Sequence, residues 1–235
     1  MVVAGCATAP PRTVAMISAG AEWKTIADAY PAATHTPYGD FVVGTLGGER
    51  VIFFHGGYGK VNAAGSTQYA IDRWHPQLVI NLGTCGAFGH DLHVGDIVLA
   101  SATTIYDIYE AMGDADEAIA DFKTTLDNSR WPAQLRVRVE PLVSADRDLI
   151  PAEIAKLRTK YNAAAGDWES GAIAYVATKN HTRVVILRGV TDIVDEANAD
   201  PTYNNVALWQ QETAKVMATL LALAAKALPA LLAKN

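Results

Sequence analysis

The stretch Gly166-Asp-Trp-Glu-Ser-Gly-Ala-Ile-Ala-Tyr-Val-Ala177, continued by Arg183-Val-Val-Ile-Leu-Arg-Gly-Val-Thr-Asp-Ile-Val-Asp195, decides how the chain is read. Acidic residues open a helix, Lys179–Thr182 break it, and the apolar run Val184–Leu187 reads as a buried strand that ends in a polar loop. The helix carries Glu169 near its start and the loop carries Asp192. In α/β layer proteins, ligands collect where loops leave the carboxyl ends of the strands. The two carboxylates are therefore candidates for one crevice. A plainer reading makes Asp167 and Glu169 helix-capping acids and Asp192 an unrelated turn residue.

Outward from that stretch the same grammar repeats. Thr13–Ile17 reads as a buried strand, and Ser18–Trp23 turns into a helix that ends near Tyr30. Phe41–Leu46 and Arg50–His55 flank Gly47-Gly48, a two-residue hairpin signal. Gly56-Gly57-Tyr58-Gly59-Lys60 joins a strand to the helix Asn62–Trp74, but it lacks the first glycine and the final Ser/Thr of a phosphate loop. Leu78–Leu82 reads as a strand that opens into a second glycine loop, Gly83–Gly89. The free amides of that loop and the Thr84 hydroxyl suit an oxygen-rich ligand group. Ile97–Ala100 and Arg136–Val143 are further strands, separated by an acidic surface excursion, Thr103–Arg130. Pro151–Tyr161 and Val206–Leu232 are helices.

Alternating strands and helices predict one α/β domain, residues 13–235, built as a three-layer α/β/α sandwich on a mixed, largely parallel sheet. Residues 1–12 read as a disordered tail or the remnant of a signal segment.

Composition narrows the function. With 19 basic residues against 25 acidic ones the net charge is −6, which argues against nucleic acid as a partner. Half the residues are hydrophobic, enough for a large core. The last helix carries Lys215 and Lys226 and is broken by Pro229, so it reads as packed against the protein. The two cysteines, Cys6 and Cys85, are not expected to pair, and no metal-ligand spacing or cofactor motif is present. Val3-Ala-Gly-Cys6 looks like the end of a bacterial lipoprotein signal without its basic and apolar regions. A cytoplasmic location is the expectation, with a periplasmic or membrane-anchored lipoprotein as the alternative.

Five stretches in this order resemble the nucleoside phosphorylase and nucleosidase superfamily, most closely its 5′-methylthioadenosine/S-adenosylhomocysteine nucleosidase branch. They are Ile17–Glu22, Gly56–Lys60, Asn81–Ala87 with Val94-Gly95-Asp96, Val143–Asp146, and Asp167–Ala172 with Arg188-Gly-Val-Thr-Asp192. The resemblance implies a homo-oligomer that cleaves the bond between ribose and purine, with water as co-substrate and no cofactor. It makes Asp192 the acid at the purine N7, Glu169 the ribose-hydroxyl partner and Glu22 the carboxylate that activates water. Thr84 takes the place of a serine beside the sugar. Gly86, Trp168, Asp148, Leu149 and Phe88 complete the implied substrate contacts.

Such residues suit N-glycoside cleavage. The leaving base is neutralised by a proton, the cationic sugar is steadied by a carboxylate, and water is ordered on the opposite face. The chain departs from the pattern in three places. Trp168 replaces a methionine under the ribose, Asp148 stands where an aromatic stacks on the base, and Asp167 replaces a glutamate. Tyr106, Phe88 and Trp168 are the substitute stacking candidates. The loop before Glu22 is one residue shorter than usual. Phosphorolysis is the nearest rival, kept open by Lys24 and Lys60, which could point inward. A non-catalytic nucleoside-binding protein is the third reading.

Overall fold

The computed structural model describes residues 10–89, 91–194, 200, 202 and 205–233. The Val3–Cys6 motif lies outside them. Strand β1 (Thr13–Ile17) leads to helix α1 (Gly20–Ala29), then β2 (Thr34–Thr36), β3 (Gly39–Leu46) and β4 (Glu49–His55). Helix α2 (Gly59–Trp74), β5 (Leu78–Ala87) and β6 (Ile97–Ile105) follow. Next come α3 (Asp116–Asp121), β7 (Lys123–Thr125) and β8 (Arg138–Ser144). The chain closes with α4 (Ile154–Tyr161), β9 (Ala165–Asp167), α5 (Ser170–Lys179), β10 (Arg183–Ile193) and α6 (Val206–Leu232).

The strands form one mixed sheet, in the order β10-β6-β8-β9-β5-β1-β4-β3-β2. β10 also pairs with β5, so β5, β10, β6, β8 and β9 close into a ring. The parallel pairings run through β4, β1, β5 and β10, and again through β6, β8 and β9. Two cores flank the sheet. Helices α2 and α5 cover one face over Val14, Phe54, Val79 and Ile186. Helices α1 and α6 cover the other over Ala15, Ile80, Leu82 and Leu187. Neighbours such as Val14 and Ala15 alternate between these cores, the period-two signature of a strand buried on both sides.

Three local expectations change. The glycine loop at Gly83–Gly89 is mostly strand, because β5 continues to Ala87 with β10 on one edge and β9 joining at Gly86. Likewise β10 runs on to Ile193 through a register shift between Val190 and Asp192, so Asp192 sits on a strand and not in a loop. The excursion at Thr103–Arg130 folds back: Thr103–Ile105 finish β6, and β7 pairs with β6.

Helix α6 is long and apolar enough to cross a membrane by length and composition. Here it packs Val216, Met217, Leu220, Ala224, Ala227 and Leu228 onto the sheet. Pro229 does not end it, since the helix runs to Leu232. A proline lacks the N–H that would bind the carbonyl four residues earlier, and that carbonyl, Ala225, faces the β3–β4 turn. A side chain on Gly47 would come within 2.1 Å of the Ala225 oxygen, so only glycine fits there. Gly47 and Gly48 take φ of +59° and +83°, as the two-residue hairpin requires.

Candidate active site

One edge of β5 explains where the site lies. β1 pairs with β5 only up to Met16 opposite Asn81, and β9 begins only at Gly86 opposite Gly166. Between them Gly83–Cys85 have no strand on that edge. The chain leaves β1 at this point into α1, and Glu22 from the first turn of that helix fills the gap. Its Oε1 accepts the Thr84 N–H at 2.6 Å and the Thr84 hydroxyl at 2.9 Å. Its Oε2 accepts the Ala19 N–H at 3.0 Å. The last contact is half a capping box, with Ala19 lacking the side-chain oxygen for the other half. Capping alone would not explain a carboxylate that is 2% exposed and spans two elements.

Beneath Glu22 lies Arg188 of β10, fully buried. Its Nη2 donates to Asn81 Oδ1 at 2.7 Å, and Nη1 reaches the Thr84 carbonyl at 3.4 Å. Three carboxylates surround it: Asp167 Oδ2 at 2.8 Å from Nε, Glu169 Oε2 at 3.8 Å and Glu22 Oε1 at 3.9 Å. The Asp167 contact is an ion pair with poor N–H alignment, so neither atom gains a directed hydrogen bond from it. Burial pulls the guanidinium pKa down, but Asp167, Glu22 and Glu169 outweigh it and hold Arg188 above its ordinary value. A side chain on Gly83 would lie 2.1 Å from Arg188 Nη1 and 2.9 Å from Glu22 Oε1, so the strand must be bare there.

Asp167 closes β9, and its Oδ1 accepts the Ser144 hydroxyl at 2.6 Å and the Ser170 N–H at 3.1 Å. Glu169 is the N-cap of α5, but its side chain turns away from that helix. Its Oε1 accepts the Gly59 N–H from the start of α2 at 3.0 Å. Burial, helped by Glu22 and Asp167 and opposed by Arg188 and the Gly59 amide, raises the Glu169 pKa to about 8. Asp192, half-buried, accepts the Thr191 hydroxyl at 2.8 Å. Burial raises its pKa to about 6, against the Thr191 hydrogen bond and with help from Asp200 and Asp148.

These groups share a cavity of about 410 Å³. Glu22, Thr84, Gly86, Asp148, Leu149, Trp168, Glu169 and Asp192 all line it, so eight of the nine sequence candidates converge. Phe88 does not. Its ring is 2% exposed, packed with Tyr106, Val143 and Ile154 behind Gly166. Tyr106 belongs to the same cluster, which leaves Trp168 as the one stacking candidate of the three that reaches the cavity. The lysines do not point inward. Lys24 pairs with Asp28 on the surface at 2.7 Å, and Lys60 pairs with Asp107.

Among the described residues, Tyr58 and Trp209 of the wall and Arg188 beneath it were not singled out as site residues from the sequence. Arg188 had a signal, since a lone arginine inside an apolar strand must be buried with partners. Trp209 comes from the first turn of α6 and had none.

Residues 11–226 match the model of the phosphorylase superfamily. The chain belongs to that superfamily. A 5′-methylthioadenosine/S-adenosylhomocysteine nucleosidase of Bacillus thuringiensis (strain Al Hakam) is 34% identical over 182 residues, covering 69% of this chain and 77% of the relative. Among solved structures, the Arabidopsis thaliana 5′-methylthioadenosine nucleosidase in apo form has a TM-score of 0.80 at 22% identity. That match covers 96% of this chain and 98% of the plant one. The Neisseria meningitidis 5′-methylthioadenosine/S-adenosylhomocysteine nucleosidase in complex with methylthio-immucillin-A has a TM-score of 0.74 at 25% identity, covering 92% and 98%. The ring-closed sheet and the gap beside β5 are thus how this superfamily member builds its cavity.

Proposed function

We propose that this superfamily member hydrolyses the N-glycosidic bond of adenine-type nucleosides of the methylthioadenosine and S-adenosylhomocysteine class, releasing free base and sugar. The observation that carries this reading is the lack of a basic residue among the described residues of the cavity wall. Among its described residues stand five carboxylates (Glu22, Asp148, Asp167, Glu169 and Asp192) and no lysine or arginine. A phosphate dianion needs cationic forks to hold it. The nearest one, Arg188, is already surrounded by three carboxylates. Water needs no such cation.

The roles follow from the surroundings. Asp192 holds its proton more tightly than a free aspartate, as a donor to a departing purine must. Glu169 offers an oxygen to a ribose hydroxyl, and its ionised form, which predominates in the empty site only above about pH 8, steadies the positive charge that develops on the sugar. Glu22, fixed by three donors, orders and deprotonates the attacking water. Along β5, Gly83 lies beside Glu22 and Gly86 beside Asp192. Trp168 supplies an apolar face to the substrate.

A homo-oligomer forms part of the proposal. Tyr58 and Val61 at the start of α2 and Tyr109 and Met112 after β6 are 53%, 82%, 88% and 97% exposed, large apolar side chains that a partner subunit would cover. Sedimentation of the purified protein tests that part. The catalytic reading is tested with 5′-methylthioadenosine and S-adenosylhomocysteine, incubated with and without phosphate. Free adenine and free sugar at a rate indifferent to phosphate are expected. A ribose 1-phosphate product, or cleavage that depends on phosphate, would overturn the hydrolytic assignment.

A further inference from the structure

The turn between β4 and α2, Gly56–Lys60, contributes only Tyr58 to the cavity wall, yet it controls a contact there. Gly57 and Gly59 take φ of +79° and +81°, conformations that cost glycine little and leave the turn free to point elsewhere. The Gly59 N–H is one of the amides that α2 leaves without an internal partner, and it donates to Glu169 Oε1 at 3.0 Å. The next residue fixes that aim. The Lys60 ammonium pairs with Asp107 Oδ1, in the loop after β6, and lies 3.8 Å from Asp146 Oδ2, in the loop after β8. The Lys60 N–H donates to Asp146 Oδ1 at 2.7 Å, and the Asp146 N–H donates to Asp107 Oδ2 at 2.9 Å. Three loops at the carboxyl ends of β4, β6 and β8 are thereby closed on one another. With Lys60 and Asp107 side chains 21% and 14% exposed, solvent screens this clamp less than a surface pair.

We infer that Lys60 is a positioning residue: its clamp on Asp107 and Asp146 holds the start of α2 where the Gly59 amide can bind Glu169. The inference rests on the reading of Glu169 as the ribose partner. An N–H aimed at Oε1 favours the ionised carboxylate, the form that accepts from a sugar hydroxyl. It acts alongside Arg188 of β10 and against Glu22 of α1 and Asp167 of β9, with the Tyr58 hydroxyl also near. Without the clamp the amide drifts and Glu169 keeps its proton to higher pH.

The test is a carboxyl carbon NMR titration of the glutamate-labelled, substrate-free enzyme, with the Glu169 signal assigned by its loss in Glu169→Gln. It is paired with kcat and KM for a riboside and its 2′-deoxy counterpart. Lys60→Met should raise the Glu169 midpoint by about 1 and lower kcat/KM for the riboside about tenfold, the effect of losing one hydrogen bond to a charged group. The 2′-deoxy substrate should lose less, and Lys60→Arg should restore most of the loss. Asp107→Asn separates geometry from simple charge. Removing a negative charge lowers the midpoint by its field alone, whereas losing the amide raises it. A midpoint that rises in Asp107→Asn supports the clamp; one that falls or stays overturns it, even should Lys60→Met fail to fold. Equal losses on both substrates in Glu169→Gln would end the ribose reading of Glu169, while the titration still decides the clamp.

Discussion

Glu22 and Thr84 are joined twice, through the Thr84 amide at 2.6 Å and its hydroxyl at 2.9 Å, both to the same carboxylate oxygen. The bond can form because β5 has no strand partner on that edge between Asn81 and Gly86. The hydroxyl contact can be removed without touching the amide. Thr84→Val should lower kcat roughly 10- to 100-fold, matching about 1.5–3 kcal/mol for a hydrogen bond to a charged group. Thr84→Ser should retain most of the activity. Equal activity in the Val and Ser variants would show that the hydroxyl does not orient Glu22.

Asp192 gives a prediction in pH. As a general acid with a pKa near 6, it is productive only while protonated, so kcat/KM should fall as pH rises through that region. Asp192→Asn should lower turnover by roughly two to four orders of magnitude, the range for lost acid catalysis, and remove that limb. A variant that keeps the limb would assign it to another group.

Glu169 gives a prediction in stability. Its folded pKa of about 8 lies above the ordinary 4.5, so the folded state binds the proton more tightly than the unfolded chain does. That stabilisation is complete below about pH 4.5 and is lost as pH rises through 8, a change of a few kcal/mol at most. Glu169→Gln cannot ionise. It should therefore gain stability relative to the parent between pH 5 and pH 8.5 while losing activity on ribosides. Unfolding midpoints that track in parallel across that range would contradict the burial of an acid there.

Gly83→Ala tests the buried charge cluster. The added methyl would sit 2.1 Å from Arg188 Nη1, and displacing the guanidinium strands charges that have no water to turn to. A loss of about 3–5 kcal/mol is expected, in the range for breaking a buried ion pair. A denaturant midpoint close to that of the parent would mean the cluster can relax. Gly48→Ala is the control, with open space around its Cβ but φ at +83°, and it should cost about 1 kcal/mol by backbone strain alone.

Much of this was legible in the chain itself. The runs Thr13–Ile17 and Leu78–Leu82 are apolar enough to be strands buried on both faces. The Gly47-Gly48 pair sets the hairpin because only glycine takes two successive left-handed conformations cheaply. Glu169 and Asp192 could be singled out because one opens a helix and the other follows the apolar run Val184–Leu187, positions set by local periodicity, whereas Glu22 was marked only by the family resemblance. The tertiary structure decided what periodicity cannot carry. Gly83–Ala87 look like a loop because glycine has low strand propensity, but pairing with β10 and β9 overrides propensity. The removal of Phe88 to a separate core, the entry of Trp209 from a distant helix and the neutralisation of Arg188 by three carboxylates depend on contacts between residues far apart in sequence. A local pattern records which face of an element is buried; which groups meet there, and so whether a charge is free to bind phosphate, is fixed only when the sheet closes.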